Sequence, residues 1–87
     1  MLFEYDPDKS SSNLHKHGID FEKAQLLWRD PNALEIKAKS DDENRFALIG
    51  KIDDKIWIAF YTYREDSVRL ISVRRTRENE KRIYDES

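Results

Sequence analysis

The stretch Lys55–Thr76, KIWIAFYTYREDSVRLISVRRT, constrains the fold more than any other part of the chain. Two apolar runs, Ile56–Tyr63 and Val68–Val73, flank a polar break at Arg64–Ser67. Runs of this length, rich in β-branched and aromatic residues, predict strands covered on both faces. In the first run Ile56, Ile58 and Phe60 alternate with Trp57, Ala59 and Tyr61. In the second, alternation sets Val68 and Leu70 against Ile71 and Val73. A short polar connection closes at little entropic cost, so an antiparallel hairpin is expected. Its ends are cationic, with Arg64 at the tip and Arg74–Arg75 at the exit.

The remaining segments predict what surrounds this hairpin. Leu2–Tyr5 reads as an edge strand. Asp6-Pro7 is a helix start, because aspartate accepts from free N–H groups and proline suits the first helical position. That helix runs from Pro7 to His17 and stops at Gly18. Asp20 caps a second helix whose Phe21, Ala24, Leu27 and Trp28 form one apolar stripe, and Asp30-Pro31 ends it. Leu34-Glu-Ile36-Lys-Ala38-Lys alternates with period two, as a half-exposed strand does. Asp41-Asp42-Glu43-Asn44 breaks it, and Arg45–Ile52 follows as another strand with Phe46, Leu48 and Gly50 on one side. Asp53-Asp54 supplies a tight turn. Thr76 is the expected cap of a short C-terminal helix that docks by Ile83 and Tyr84. The order β-α-α-β-β-β-β-α predicts an α+β fold, an antiparallel meander with two N-terminal helices and a short C-terminal one, forming a single domain over residues 1–87.

Composition narrows the function. With no cysteine among 87 residues there is neither a disulfide nor a thiolate metal site, which fits a cytoplasmic protein. The N-terminus carries no signal-like or membrane-spanning apolar stretch, so no membrane association is expected. Net charge is −2 but unevenly spread. Residues 1–44 hold six Lys/Arg against ten Asp/Glu, and residues 45–87 hold ten against eight. A local cationic field can bind phosphate on an acidic protein, although long-range steering is then weak.

No metal-ligand pattern converges. His15 and His17 are two residues apart, a spacing that does not share a helix face. The stronger lead is the group Arg64, Arg69, Arg74, Arg75 and Arg77, with Arg45 at the start of a neighbouring strand. Guanidinium forks match phosphate oxygens and stay charged at any relevant pH. The competing reading is that these are solvated strand ends paired with Glu43, Glu65, Glu78 or Glu80. Trp57, Tyr61 and Tyr63 could stack bases, but aromatic residues in an apolar strand more often serve the core.

The residues also carry a resemblance. Phe3-Glu4-Tyr5-Asp6-Pro7-x-Lys9 and Asn13-x-x-Lys16-His17-Gly18-x-x-Phe21-Glu22-x-Ala24 open it. Asp30-Pro31, Glu43-x-Arg45, Ile49-Gly50, Tyr61-Thr62-x-Arg64, Arg69-x-Ile71-Ser72-x-Arg74-Arg75 and Glu80-x-x-x-Tyr84 continue it. In this order, over nearly the whole length, the chain resembles the BrnT family of toxins from bacterial toxin–antitoxin pairs. Tyr5, Trp28 and Val73 depart from the usual Trp, Phe and Ala. The resemblance implies a RelE-like α+β ribonuclease that needs no cofactor. It also implies an RNA substrate and a BrnA-like, DNA-binding antitoxin through which alone the protein would meet operator DNA.

Metal-free RNA cleavage needs a base for the 2′-hydroxyl, an acid for the leaving 5′-oxygen and cations for the phosphorane. His17 is the expected acid–base residue, with Glu43 the alternative base. Arg45, Arg64 and Arg74 are the expected transition-state cations. Lys16, Arg69, Arg75 and Arg77 are the expected RNA contacts, with Arg75 facing away from Arg74. The rival readings are a non-catalytic module that grips a partner protein or RNA, and a purely structural partner of a DNA-binding protein.

Overall fold

A computed structural model describes residues 1–39 and 44–87. Five strands form one sheet: β1 (Leu2–Glu4), β2 (Leu34–Ala38), β3 (Arg45–Ile52), β4 (Lys55–Arg64) and β5 (Ser67–Arg75), in the spatial order β1-β5-β4-β3-β2. Helices α1 (Pro7–His17) and α2 (Phe21–Ala24) fall between β1 and β2, and α3 (Glu78–Glu86) follows β5. The expected α+β class and element order hold among the described residues. The expected meander needs one correction, because β1 pairs parallel to β5. No hairpin joins β1 to its neighbour. The chain leaves it for the helical layer and returns to that edge only after three antiparallel reversals from β2 to β5.

Local chemistry sets the boundaries. The Asp6 carboxylate accepts from the Asp8 N–H at 2.8 Å, and Gly18 closes α1 with φ of 78°, a left-handed conformation that costs glycine nothing. Asp20 caps α2 through the Lys23 N–H at 2.8 Å. The second helix is shorter than its stripe predicts. After Ala24 it tightens into a 3₁₀ segment, Gln25–Arg29, that lies close against β3. Gly50 permits that approach, since a Cβ there would stand 3.1 Å from Leu27 Cδ2. The break expected at residues 41–44 lies outside the described residues except for Asn44.

The sheet is covered on both faces, as the two apolar sets require. On one face Phe21, Ala24 and Leu27 pack with Leu48, Trp57, Ala59, Tyr61, Val68, Leu70 and Val73. On the other, Ala47, Ile49, Ile56 and Ile58 meet Phe60 and Tyr84. The alternation expected in β5 is corrected by a bulge. Tyr61 pairs with Leu70, but Phe60 pairs with Ser72, so β5 holds one extra residue at Ile71. Val73 therefore joins Val68 and Leu70 in the helix-side core instead of opposing them.

Beyond Arg69, β1 no longer covers the edge of β5. The buried Asn13 of α1 takes its place. Its carboxamide accepts from the Val73 N–H at 3.0 Å and donates to the Val73 carbonyl at 2.8 Å and the Ile19 carbonyl at 2.8 Å. An amide presents the donor and acceptor that a neighbouring strand would have supplied. Asn13→Ala leaves three buried backbone groups without this partner. The expected loss is about 3 kcal/mol, with the thermal midpoint lowered by more than about 10 °C in a circular dichroism melt. A loss below about 1 kcal/mol would contradict this role.

Candidate functional site

Register places the arginines. Arg74 is paired with Ile58, Arg69 with Thr62 and Arg64 with Ser67. One step beyond the Phe46–Tyr61 pair, Arg45 lies beside Thr62 on its other flank. Ile58, Thr62 and Arg64 are alternate residues of β4, so all four arginines belong to the face that carries α3. Strands lie about 4.8 Å apart, which sets the Arg45 and Arg69 backbones about 10 Å apart across Thr62. Arg64 follows about 7 Å further along β4. The buried Thr62 hydroxyl donates to the Asn44 carbonyl at 2.9 Å and fixes the middle of this row.

The four are not equivalent. Arg64 is exposed, and its guanidinium has no hydrogen bond or ion pair among the described residues. Arg69 meets Glu4 at 3.9 Å with both side chains more than one-third exposed, an ion pair of little strength. Arg74 is held firmly. Its Nη1 and Nη2 donate to the two oxygens of Glu80 at 2.8 Å each, Nη1 donates to the Arg75 carbonyl at 3.1 Å, and its central carbon lies 5.4 Å from the Phe60 ring centre. For Arg74, then, the solvated-pair reading with Glu80 was partly right.

The same carboxylate starts α3. Glu80 accepts from the Arg77 N–H at 2.8 Å, so Arg77, not Thr76, is the capping residue. Tyr84 packs on the apolar face as expected, but Ile83 stays 42 % exposed, and the rest of the docking is polar, through Glu80 and the Tyr84 hydroxyl. The Tyr84 hydroxyl donates to Asp30 at 2.7 Å. Asp30 also accepts from the Asn32 and Lys51 N–H groups at 2.9 and 2.8 Å. Burial alone would raise the Asp30 carboxyl, but the bonds from Tyr84, Asn32 and Lys51 outweigh it and hold it below its ordinary value. Burial and the bond to Asp30 push the Tyr84 hydroxyl up to about 12.

His17 does not join the arginines. It ends α1 in the helical layer and lines a cleft of about 270 Å³ with Lys23, Asp53, Lys55, Trp57 and Arg75. Arg75 lies over Trp57 at 5.5 Å and donates from Nε to the Ile56 carbonyl at 3.3 Å, facing away from Arg74 as alternation expects. Lys16 is exposed beside His17 on α1. The sheet thus separates Arg45, Arg64, Arg69 and Arg74 from His17 and Arg75. Glu43 lies outside the described residues. Among the described residues no three His, Asp or Glu side chains gather as a metal site.

Phe60 and Thr62, which lie among the arginines, could have been found by extending the Ile56–Ile58 alternation to Arg64. On the helix-side face, Glu35 had no such signal. It accepts from the buried Tyr61 hydroxyl at 2.6 Å and from the half-exposed Tyr63 hydroxyl, tying edge strand β2 to β4 across β3. Burial, then the bond to Glu35, raises Tyr61, whereas the Glu35 bond leads for Tyr63.

The fold is a single-sheet α+β domain with four arginines on the sheet face that carries α3. The family model described as the ribonuclease toxin BrnT of type II toxin–antitoxin systems matches residues 5–80, and the chain belongs to that family. No curated protein matches this sequence. Membership brings ribonuclease activity and an antitoxin protein as partner. Among the described residues no helix is long and apolar enough to cross a membrane.

The Arg74–Glu80 pair makes a pH test. The Arg74 hydrogen bond, against burial, holds the Glu80 carboxyl below its ordinary 4.5. A depressed carboxyl stabilises the fold above its unfolded value, and that contribution is lost as pH falls through the folded value. The stability gap between wild type and Glu80→Gln is therefore expected to be full at pH 6 and to shrink below about pH 4.5 in thermal melts. A gap constant from pH 6 to 3 would contradict the pairing.

Proposed function

We propose that this chain is a metal-independent endoribonuclease that cleaves RNA in the cytoplasm, blocks translation and arrests growth until a BrnA-like, DNA-binding antitoxin covers it. The observation that carries the reading is the row Arg45–Thr62–Arg69 with Arg64 beside it, on one sheet face. Three guanidinium groups there can hold adjacent phosphates and neutralise the charge that builds on the phosphorane. The RelE-like assignment is part of this proposal and is supported by the α+β sheet with its cationic face.

Of the two candidates for proton transfer, His17 is set apart by its place in the fold. His17 lies across the sheet from the arginines. Glu43 precedes Arg45 by two residues in the sequence. Among the described residues, Glu4 is engaged with Arg69 and Glu80 with Arg74. On its place in the sequence we assign the 2′-hydroxyl proton to Glu43; the 2′-oxygen bonds to phosphorus, the bond to the 5′-oxygen breaks, and the leaving oxygen takes its proton from water.

Purified protein is expected to degrade RNA in the presence of chelator. Arg64→Ala is expected to slow cleavage by about a hundredfold or more, with circular dichroism unchanged. Glu43→Gln should abolish cleavage, whereas His17→Ala should retain it. RNA binding without any cleavage would favour the non-catalytic module, for which the engagement of Glu4 and Glu80 is the favouring observation. A full loss in a folded His17→Ala, with Glu43→Gln still active, would move the chemistry to the other cleft.

A further inference from the structure

Arg74 differs from Arg64 and Arg69 in what it has left to offer. Glu80 takes one N–H from each terminal nitrogen, and the Arg75 carbonyl takes another from Nη1. The fork that would grip a phosphate is already filled, and its charge is balanced by a carboxylate 2.8 Å away. One side of the guanidinium is against Phe60. Yet 24 % of the side chain reaches solvent.

We propose that Arg74, held on Phe60 by Glu80, is a platform on which a nucleobase stacks, and that the RNA taken up on this face is single-stranded. The proposal rests on the ribonuclease reading above and adds the substrate class to it. A guanidinium plane is an established partner for a splayed-out base, and an ion pair within the plane leaves that surface available. In a duplex the bases are stacked on each other, so no base surface is presented. Arg45, Arg64 and Arg69 then hold the backbone, and Arg74 holds the base. Glu80 is a positioning residue: it sets the plane of Arg74 without touching RNA.

The test measures equilibrium binding of the full chain to 2′-O-methyl oligomers, which lack the attacking hydroxyl and are not cut. Adenosine, uridine and duplex forms of one length are compared across a salt series. Wild type is expected to bind the adenosine strand more tightly than the uridine strand, and the duplex least. Arg74→Lys keeps the charge and the partner but loses the plane. It is expected to weaken adenosine binding on the order of tenfold and to erase the purine preference, with the salt slope unchanged. Arg64→Gln should instead lower that slope by about 0.7 and keep the preference. Should Arg74→Lys fail to fold, Phe60→Leu serves, with the same loss of preference expected. A purine preference intact in the folded variant, or a duplex bound as tightly as the single strand, overturns the platform while leaving the ribonuclease reading in place. Absence of salt-dependent binding to any oligomer overturns that reading itself, and the platform with it.

Discussion

One extra residue in β5 decides which side chains share a face. Strict alternation from Arg69 would place Val73 beside it and send Arg74 to the helix side. The bulge between the Phe60 and Tyr61 pairings reverses the parity, so Val73 enters the core and Arg74 joins Arg69. Asn13 grips the backbone of Val73, the first core residue after that irregularity. The same bonds tie α1 to the sheet at the point where β1 ceases to pair. Core packing, edge protection and the gathering of four cations therefore depend on a single local register shift.

The cationic face sits on a protein whose net charge is −2. Topology reconciles the two. The acidic N-terminal residues build mostly β1, the helical layer and β2, while three of the four arginines lie on β4 and β5. α3 then limits the open face from the far end, over Ile49 and Ile58, and binds through Glu80 and Tyr84 more than through apolar area. Its two anchors are charge-assisted bonds, which are short and directional. They hold a helix that exposes Ile83.

Much of the fold was legible in the sequence because its signals are local. Asp6, Gly18 and Asp20 end or begin helices through atoms within a few residues of themselves. The β4 alternation sorted Ile56, Ile58 and Phe60 from Trp57, Ala59 and Tyr61 correctly. What was not legible depends on contacts between distant segments. The parallel partner of β1 is chosen 60 or more residues later, and Asn13 reaches Val73 across an equal gap. The Ile71 bulge leaves no mark, because either register buries apolar residues. The arginines could be seen as a group, but not which of them had a carboxylate partner. His17 was drawn toward them by its chemistry alone, and only the placement of α1 on the opposite face separates it.

RNA is expected to meet the Arg45–Arg64–Arg69 face and not the His17–Arg75 cleft. Side-chain NMR of the full chain, titrated with an uncleavable 2′-O-methyl oligomer, observes both at once. Shifts are expected at the Nε–H of Arg45, Arg64 and Arg69 and at the Thr62 methyl, with the His17 ring and the Trp57 indole unmoved. Shifts confined to His17, Trp57 and Arg75, with the arginine row silent, would contradict it.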